Sequence, residues 1–354
     1  MIDRDDLRAA TAAGVITEAQ AVSLSTLAQN RLTARSDLRQ IDEPFELFKG
    51  FNEIFIVVGL CILAAGWAAS LRIFLAQESS NVLLVGALTA ALIWGLSEYF
   101  VRRRRMVAPA IALCIFFAIT ALGTFGAHFA EPFMVAQRDF SSLPWPAICA
   151  TLALLIYWAR FRVPFALAVV AIGVFGIAIL FASIARGTPA TLVEMFKLSA
   201  SGPFAWITLL VGLAVFAVAM WFDMSDPHRV TRRSANGFWL HLVAAPALVN
   251  TVAMSLLDRD SAAANLILLA VLAFFAAVAI IIDRRSFLIA AIGYIVTLSL
   301  TVFDPGHAAT PILLLGIAFL TLGAFWQPIR ATLLRPLAGV LPFDRLPPTH
   351  LTKD

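Results

Sequence analysis

RRRRMVAPAIALCIFFAITALGTFGA, residues 102–127, sets four arginines before an uncharged run from Val107 to Ala127. A helix needs about 20 apolar residues to cross the hydrocarbon core of a bilayer, and this run has that length. Lys and Arg gather on the cytoplasmic side of such spans. One stretch therefore predicts both a membrane-crossing helix and its direction.

The same pattern recurs along the chain. Ten segments read alike: 54–73, 82–100, 107–127, 143–159, 164–184, 204–222, 237–257, 264–282, 286–303 and 309–326. Their length and their lack of two-residue alternation predict helices rather than the strands of a membrane barrel. A helix satisfies its backbone polar groups within its own segment, as lipid requires. The composition agrees, with 61% hydrophobic and 14% charged residues, against about 25% charged in a soluble domain. The expected fold class is all-α: a polytopic integral membrane bundle of about ten transmembrane helices over 54–326. A cytoplasmic region, 1–53, precedes it and a cytoplasmic amphipathic tail, 327–354, follows.

Basic residues exceed acidic ones, 26 against 22. In a soluble chain such an excess raises the question of nucleic acid. Here the bases sit in short clusters between apolar runs, so they report topology, and no nucleic-acid partner is expected. In the ten-segment scheme 21 of the 26 fall on one side and four on the other, with Arg72 near the end of the first segment. That split puts both termini in the cytoplasm. The first apolar run begins only near Ile54, so no cleavable signal peptide is expected. Cys61, Cys114 and Cys149 all lie in apolar runs, as small buried hydrophobes rather than a disulfide or zinc framework.

RRRRMVAPAIAL, RFRVPFALAVV, RRSANGFWLHLVAA and DRRSFLIAAIGY each open a segment with clustered arginines. Tandem helical hairpins would give this weak repeat, and so in part would any inward loop followed by a span. Packing of the bundle falls to small residues at helical spacing. Gly86 and Ala90, Ala91 and Gly95, and Ala65 and Ala69 stand four apart. Gly123 and Gly126, and Gly173 and Gly176, stand three apart. Trp145, Trp158, Trp206, Trp221 and Trp326 fall near segment ends, where an aromatic belt belongs.

The N-terminal stretch reads as a helical hairpin. A first helix stops at Gly14, and TEAQ from Thr17 forms a capping box with Gln20 at the reciprocal position. It has no recognition-helix signature, so residues 1–35 are expected to dock a cytoplasmic protein partner. IDEPFELFKGFNEIF, from Ile41, suggests an interfacial helix feeding the first span. The tail places Arg330 and Arg335 beside Ile329, Leu333 and Leu334, which suits an anionic inner leaflet.

The pattern of a leucine helix, a glycine and then VITEAQ resembles the start of a group of bacterial predicted multi-span membrane proteins. That group is described only as a domain of unknown function. FWLHLVAAP and the LPFDRLPP tail are similar to segments of such proteins. The resemblance implies a bacterial cytoplasmic-membrane protein and supplies no activity.

Four positions stand out as polar or gating candidates: His241, Pro246, Asn250 and Glu98. In the seventh segment, at about 100° per residue, His241 and Asn250 face opposite ways. Pro246 frees the Leu242 carbonyl and shares a face with Asn250. His241 lies near the cytoplasmic end, where its ring reaches toward the headgroups. Two readings stand: interhelical hydrogen bonding around a kink, or a kinked gate beside a hydrated path. Glu98, four before Arg102, pairs with it at the inner surface or forms an ion site. His128 with Glu131, and Asp304 with His307, are too sparse for a metal site. No GxSxG, HExxH, Walker-type loop or paired intramembrane carboxylates appears, so neither catalysis nor a cofactor is expected.

Three functions follow in order. The first is a non-enzymatic scaffold, sensor or assembly factor that docks a partner through the hairpin. The second is a transporter or exporter of an apolar or amphipathic solute. Its span count resembles that of exporters built from paired five-helix repeats, in architecture alone. A membrane enzyme comes last.

Overall fold

The structure, a computed structural model, describes residues 4–17, 20–21, 23–24, 51–77, 81–129, 141–186, 204–227, 229, 231–257, 261–284, 309–337 and 345–347. The chain divides into two compact units, a small N-terminal one and a larger one that holds the apolar helices.

The N-terminal unit contains α1, Arg4–Ala12. Gly14 ends it with φ +71°, and the Val15 N–H donates to the Ala10 carbonyl (3.0 Å). A left-handed glycine just past the last turn is a common helix cap, because it lacks the Cβ that would clash. The capping box then forms both of its bonds. Gln20 N–H donates to Thr17 Oγ1 (3.3 Å), and Thr17 N–H donates to Gln20 Oε1 (2.9 Å). The interfacial helix expected from Ile41 lies outside the described residues as far as Gly50.

The larger unit is built of helices joined by short turns, with no strand among its described residues. Its helices are α2 (Phe51–Gln77), α3 (Val82–Ser97), α4 (Val107–Phe129), α5 (Pro144–Phe161), α6 (Pro164–Arg186), α7 (Ala205–Met224), α8 (Arg232–Leu257), α9 (Ala262–Ile281), α10 (Ala309–Ala324) and α11 (Trp326–Leu334). Proline opens α5 and α6, where a missing N–H breaks no helical bond. Among the described residues five helices, over Asn52–Leu71, Val82–Arg103, Val107–Phe129, Pro164–Ala185 and Ala205–Met224, are long and apolar enough to cross a membrane. The expected segment 286–303 lies outside the described residues.

Burial separates the helices by role. In α4, 44% of the apolar window is buried, against 6% in α2. So α4 is central and α2 peripheral. Around α4, the rings of Trp94, Phe117, Tyr157 and Phe161 interlock, with centroids 4.6–6.1 Å apart. Ser97 Oγ meets Tyr157 Oη (2.9 Å) inside this core, so both buried hydroxyls are satisfied. A second core joins α6, α7 and α8 through Leu167, Ala171, Val215, Ala219, Leu240 and Ala244. A third continues into α9 through Leu248, Val249, Leu268 and Leu272. Outward faces carry exposed Phe55, Ile62, Leu88, Ile119, Ile156 and Leu210. A water-soluble monomer rarely exposes apolar surface on that scale.

The segment expected as 82–100 changes character near its end. After Ser97 the chain runs as a π-helix, Glu98–Arg103. Among the described residues four non-glycine residues adopt left-handed backbone: Arg105, Arg162, Arg229 and Asp283, with φ of 52–55°. Arg105, Arg162 and Asp283 stand one or two residues past a helix end, and Arg229 stands in the link between α7 and α8. A side chain in that conformation costs about 1–2 kcal/mol. At Arg229 and Asp283 the cost is offset by the charged contacts described below.

Candidate functional site

Helices α2, α3 and α4 enclose an apolar groove of about 470 Å³. Small-ligand sites occupy roughly 300–1,000 Å³. The groove exists because α2 packs on α4 and hardly on α3. Leu63 and Trp67 line it from α2, Val85 and Leu92 from α3, and Phe116 and Thr120 from α4.

Two polar contacts hold α2 in place. Buried Glu53 accepts from the Ala108 N–H (3.1 Å) in the first turn of α4. That donor has no helical partner, and the carboxylate meets the positive end of the helix dipole. Farther along, Trp67 Nε1 donates to Thr89 Oγ1 (3.0 Å), from α2 to α3. The Thr89 hydroxyl donates in turn to the Val85 carbonyl (2.9 Å). Glycine sets the opposite wall. A Cβ on Gly86 would overlap the Thr124 side chain, so α3 reaches α4 closely only there without one. Gly123 also lines the groove, and space around it is open.

A second recess, about 520 Å³, is lined by Gly95, Glu98, Tyr99, Arg102 and Arg103. Gly95 falls between the groove-lining Leu92 and Leu96 in sequence but on the neighbouring, outward face of α3, and the two hollows share no lining residue. Glu98 accepts from Arg102 Nη1 (3.1 Å) and pairs with Arg160 Nη2 of α5 (2.7 Å). Arg104 lies over the Tyr99 ring at 5.7 Å and donates from Nε to its hydroxyl (3.3 Å). Among the described residues Arg103 has no acidic partner.

The second half of the bundle carries a buried ionic cluster. Asp223, in the last turn of α7, takes Arg284 as a fork. Nε donates to Oδ2 (2.9 Å) and Nη2 donates to Oδ1. His241 of α8 donates from Nε2 to Oδ2 (3.0 Å), because an ionised carboxylate only accepts. Arg284 Nη2 also reaches the Ser234 carbonyl (2.8 Å). A Cβ on Gly237 would overlap Asp223 Oδ1, so this helix-to-carboxylate approach requires glycine.

The C-terminus of α9 is closed by two more arginines. Arg330 of α11 donates from Nε to the Ile280 carbonyl (3.1 Å) and from Nη2 to that of Pro347 (2.7 Å). Arg229 donates from Nη2 to the carbonyls of Ile282 (3.1 Å) and Asp283 (2.7 Å), and from Nη1 to Asp283 Oδ2 (2.9 Å). Trp326 Nε1 donates to Asp283 Oδ1 (2.6 Å). The last carbonyls of a helix lack partners within it and form its negative end, which guanidinium groups satisfy. Desolvation lowers the pKa of both guanidinium groups. The Arg284 charge adds to this at Arg229, while the Asp283 charge opposes it at both. Arginine starts so high that both stay cationic.

The four sequence-named positions do not form one site. His241 was expected to reach toward the headgroups, but its side chain is wholly buried. Asp223 and the edge of Phe216, 5.4 Å between ring centroids, surround it instead. Pro246 faces outward on α8, whose helical run passes through it. Asn250 lies on α8, and its side chain is outside the described residues. Glu98 belongs to the recess. His128 ends α4 against Phe129, while Glu131, Asp304 and His307 lie outside the described residues.

Sequence reading missed Asp223, the acid that gathers His241 and Arg284. A signal was present: one acid closes the apolar run 205–222, and a histidine follows on the next helix. No protein family, curated protein or solved structure matches this chain.

Proposed function

We propose that this protein is a multi-pass carrier that takes an amphipathic solute sideways from the bilayer into the α2–α3–α4 groove. In this reading it has ten spans in a bacterial cytoplasmic membrane, with both termini inside, and performs no covalent chemistry. The observation that carries it is the groove itself. It is an apolar hollow of about 470 Å³ beside a helix that is almost wholly exposed and, among the described residues, is tied to α3 by one Trp–Thr bond. Lateral access suits a solute already dissolved in lipid, because neither the solute nor the wall must be wetted.

A photoactivatable acyl-chain phosphatidylcholine tests this on the full-length protein in phosphatidylcholine nanodiscs. Adducts are expected on Leu63, Phe116 and Thr120. Gly123→Trp, which grows into open space, is expected to lower them several-fold. Label spread evenly over Phe55, Ile62, Ile156 and the other outward residues would sink the proposal.

The docking role keeps one observation in its favour: α1 and the capping box at Thr17 belong to a separate unit, while most of the hairpin's expected second helix lies outside the described residues. Deleting residues 1–35 separates the two roles. Loss of function in a null strain with acyl labelling intact would favour the scaffold.

A further inference from the structure

We propose that the recess beside the groove binds the anionic headgroup of the same molecule, so that the solute is an anionic, chain-bearing lipid. The inference rests on the groove reading and adds the headgroup to it. Three observations point there. The first is nearness along one helix: Leu92 and Leu96 line the groove, and Gly95, between them in sequence, lines the recess on the neighbouring face of α3. A ligand with its chain between α2 and α3 brings its polar end toward Arg102 and Arg103.

The second is charge. Among the described residues from 51 to 186, the only acids are Glu53 and Glu98. Glu53 is committed to the first turn of α4, and Glu98 to Arg102 and Arg160. Against them, at the helix ends beside the recess, stand Arg102, Arg103, Arg104, Arg160 and Arg162; Arg72 and Arg186 lie at other helix ends. Glu98 fixes Arg102 and Arg160 in position without neutralising the rim. Arg103 faces the recess with no acidic partner among the described residues.

The third is the backbone. The π-helix begins at Glu98, where the groove wall becomes the recess wall. A π-turn carries an extra residue and re-aims the side chains after it, and such turns recur at functional sites. Here it turns a wall of leucines into one of arginines. Guanidinium groups bind phosphate or carboxylate oxygens with paired, charge-assisted hydrogen bonds. In the proposed orientation this rim meets the cytoplasmic leaflet, where anionic lipids concentrate.

Competition against the acyl label provides the test, using phosphatidylglycerol and phosphatidylcholine with identical chains. Phosphatidylglycerol is expected to displace the label at about one-tenth the concentration, the effect of one charge-assisted contact. Arg103→Gln should abolish that preference, Arg103→Lys should keep part of it, and Glu98→Gln should raise it. If Arg103→Gln fails to fold, the Glu98→Gln gain still decides. Inorganic phosphate should leave the preference intact. If phosphate erases it, the recess binds a free anion and the lipid assignment falls. Equal displacement by both lipids, with groove labelling intact, overturns the headgroup site and spares the groove. Absence of groove labelling removes both.

Discussion

The helices around the groove and those around Asp223 are held in opposite ways. At α7, α8 and α9, helix ends converge on charged side chains: one carboxylate takes His241 and Arg284, and two arginines close the end of α9. At α2, one buried carboxylate anchors the start and one Trp–Thr bond crosses to α3. Charged contacts in a dry setting are strong and costly to break, whereas apolar contact with lipid is nearly free to exchange. The contrast assigns rigidity to the Asp223 half and freedom to α2. A carrier needs such a division, with one part fixed and another able to move past a bound solute.

Asp223→Ala should have the largest effect on that contrast. It leaves a buried guanidinium and a buried imidazole without their common acceptor, a loss of about 3–5 kcal/mol. The expected outcome is a sharp fall in folded yield and in the thermal midpoint in detergent. Asp223→Leu with Arg284→Met and His241→Leu should recover much of the loss, because apolar replacement of a whole buried ionic set is often tolerated. A single variant as stable as the wild type would show that the cluster does not hold this half together. Arg330→Ala comes next, at about 1–3 kcal/mol for the carbonyls it abandons. Its drop in midpoint should leave acyl labelling of the groove unchanged. A change in labelling would mean that the two halves are mechanically linked.

How much of this was legible depended on reach along the chain. The helices were legible because length and apolarity are local properties. The Glu98–Arg102 pair was legible because four residues is one helical turn. Arg160, on the next hairpin, was not, although it makes the shorter contact with Glu98. His241 stood out as polar in an apolar run. Its burial did not, because the acid that supports it lies 18 residues away on another helix. Arg284 was counted as a topology signal, yet it also forms half of a buried ion pair. The groove left no trace in the sequence at all. Leu63 lines it and Phe55 faces outward, but both are ordinary apolar residues of one helix. In lipid the two environments select the same side chains.

The smallest expected effect tests the other side of the contrast. Trp67→Phe removes the α2–α3 bond but leaves no buried group stranded, since the Thr89 hydroxyl still donates to the Val85 carbonyl. The cost should be about 0.5–1.5 kcal/mol, the net value of one hydrogen bond, and the thermal midpoint should move little. Thr89→Val should behave alike, and the double variant should add nothing further, because both remove one contact. What should move is the groove. With the tie gone, α2 is held to its neighbours by Glu53 and by apolar packing on α4, so acyl label at Leu63 and Thr120 should rise. Unchanged labelling, with the bond removed and the fold intact, would mean that α2 is fixed by its packing on α4. In that case the gap between α2 and α3 would be a standing opening, and Trp67 no part of what governs entry.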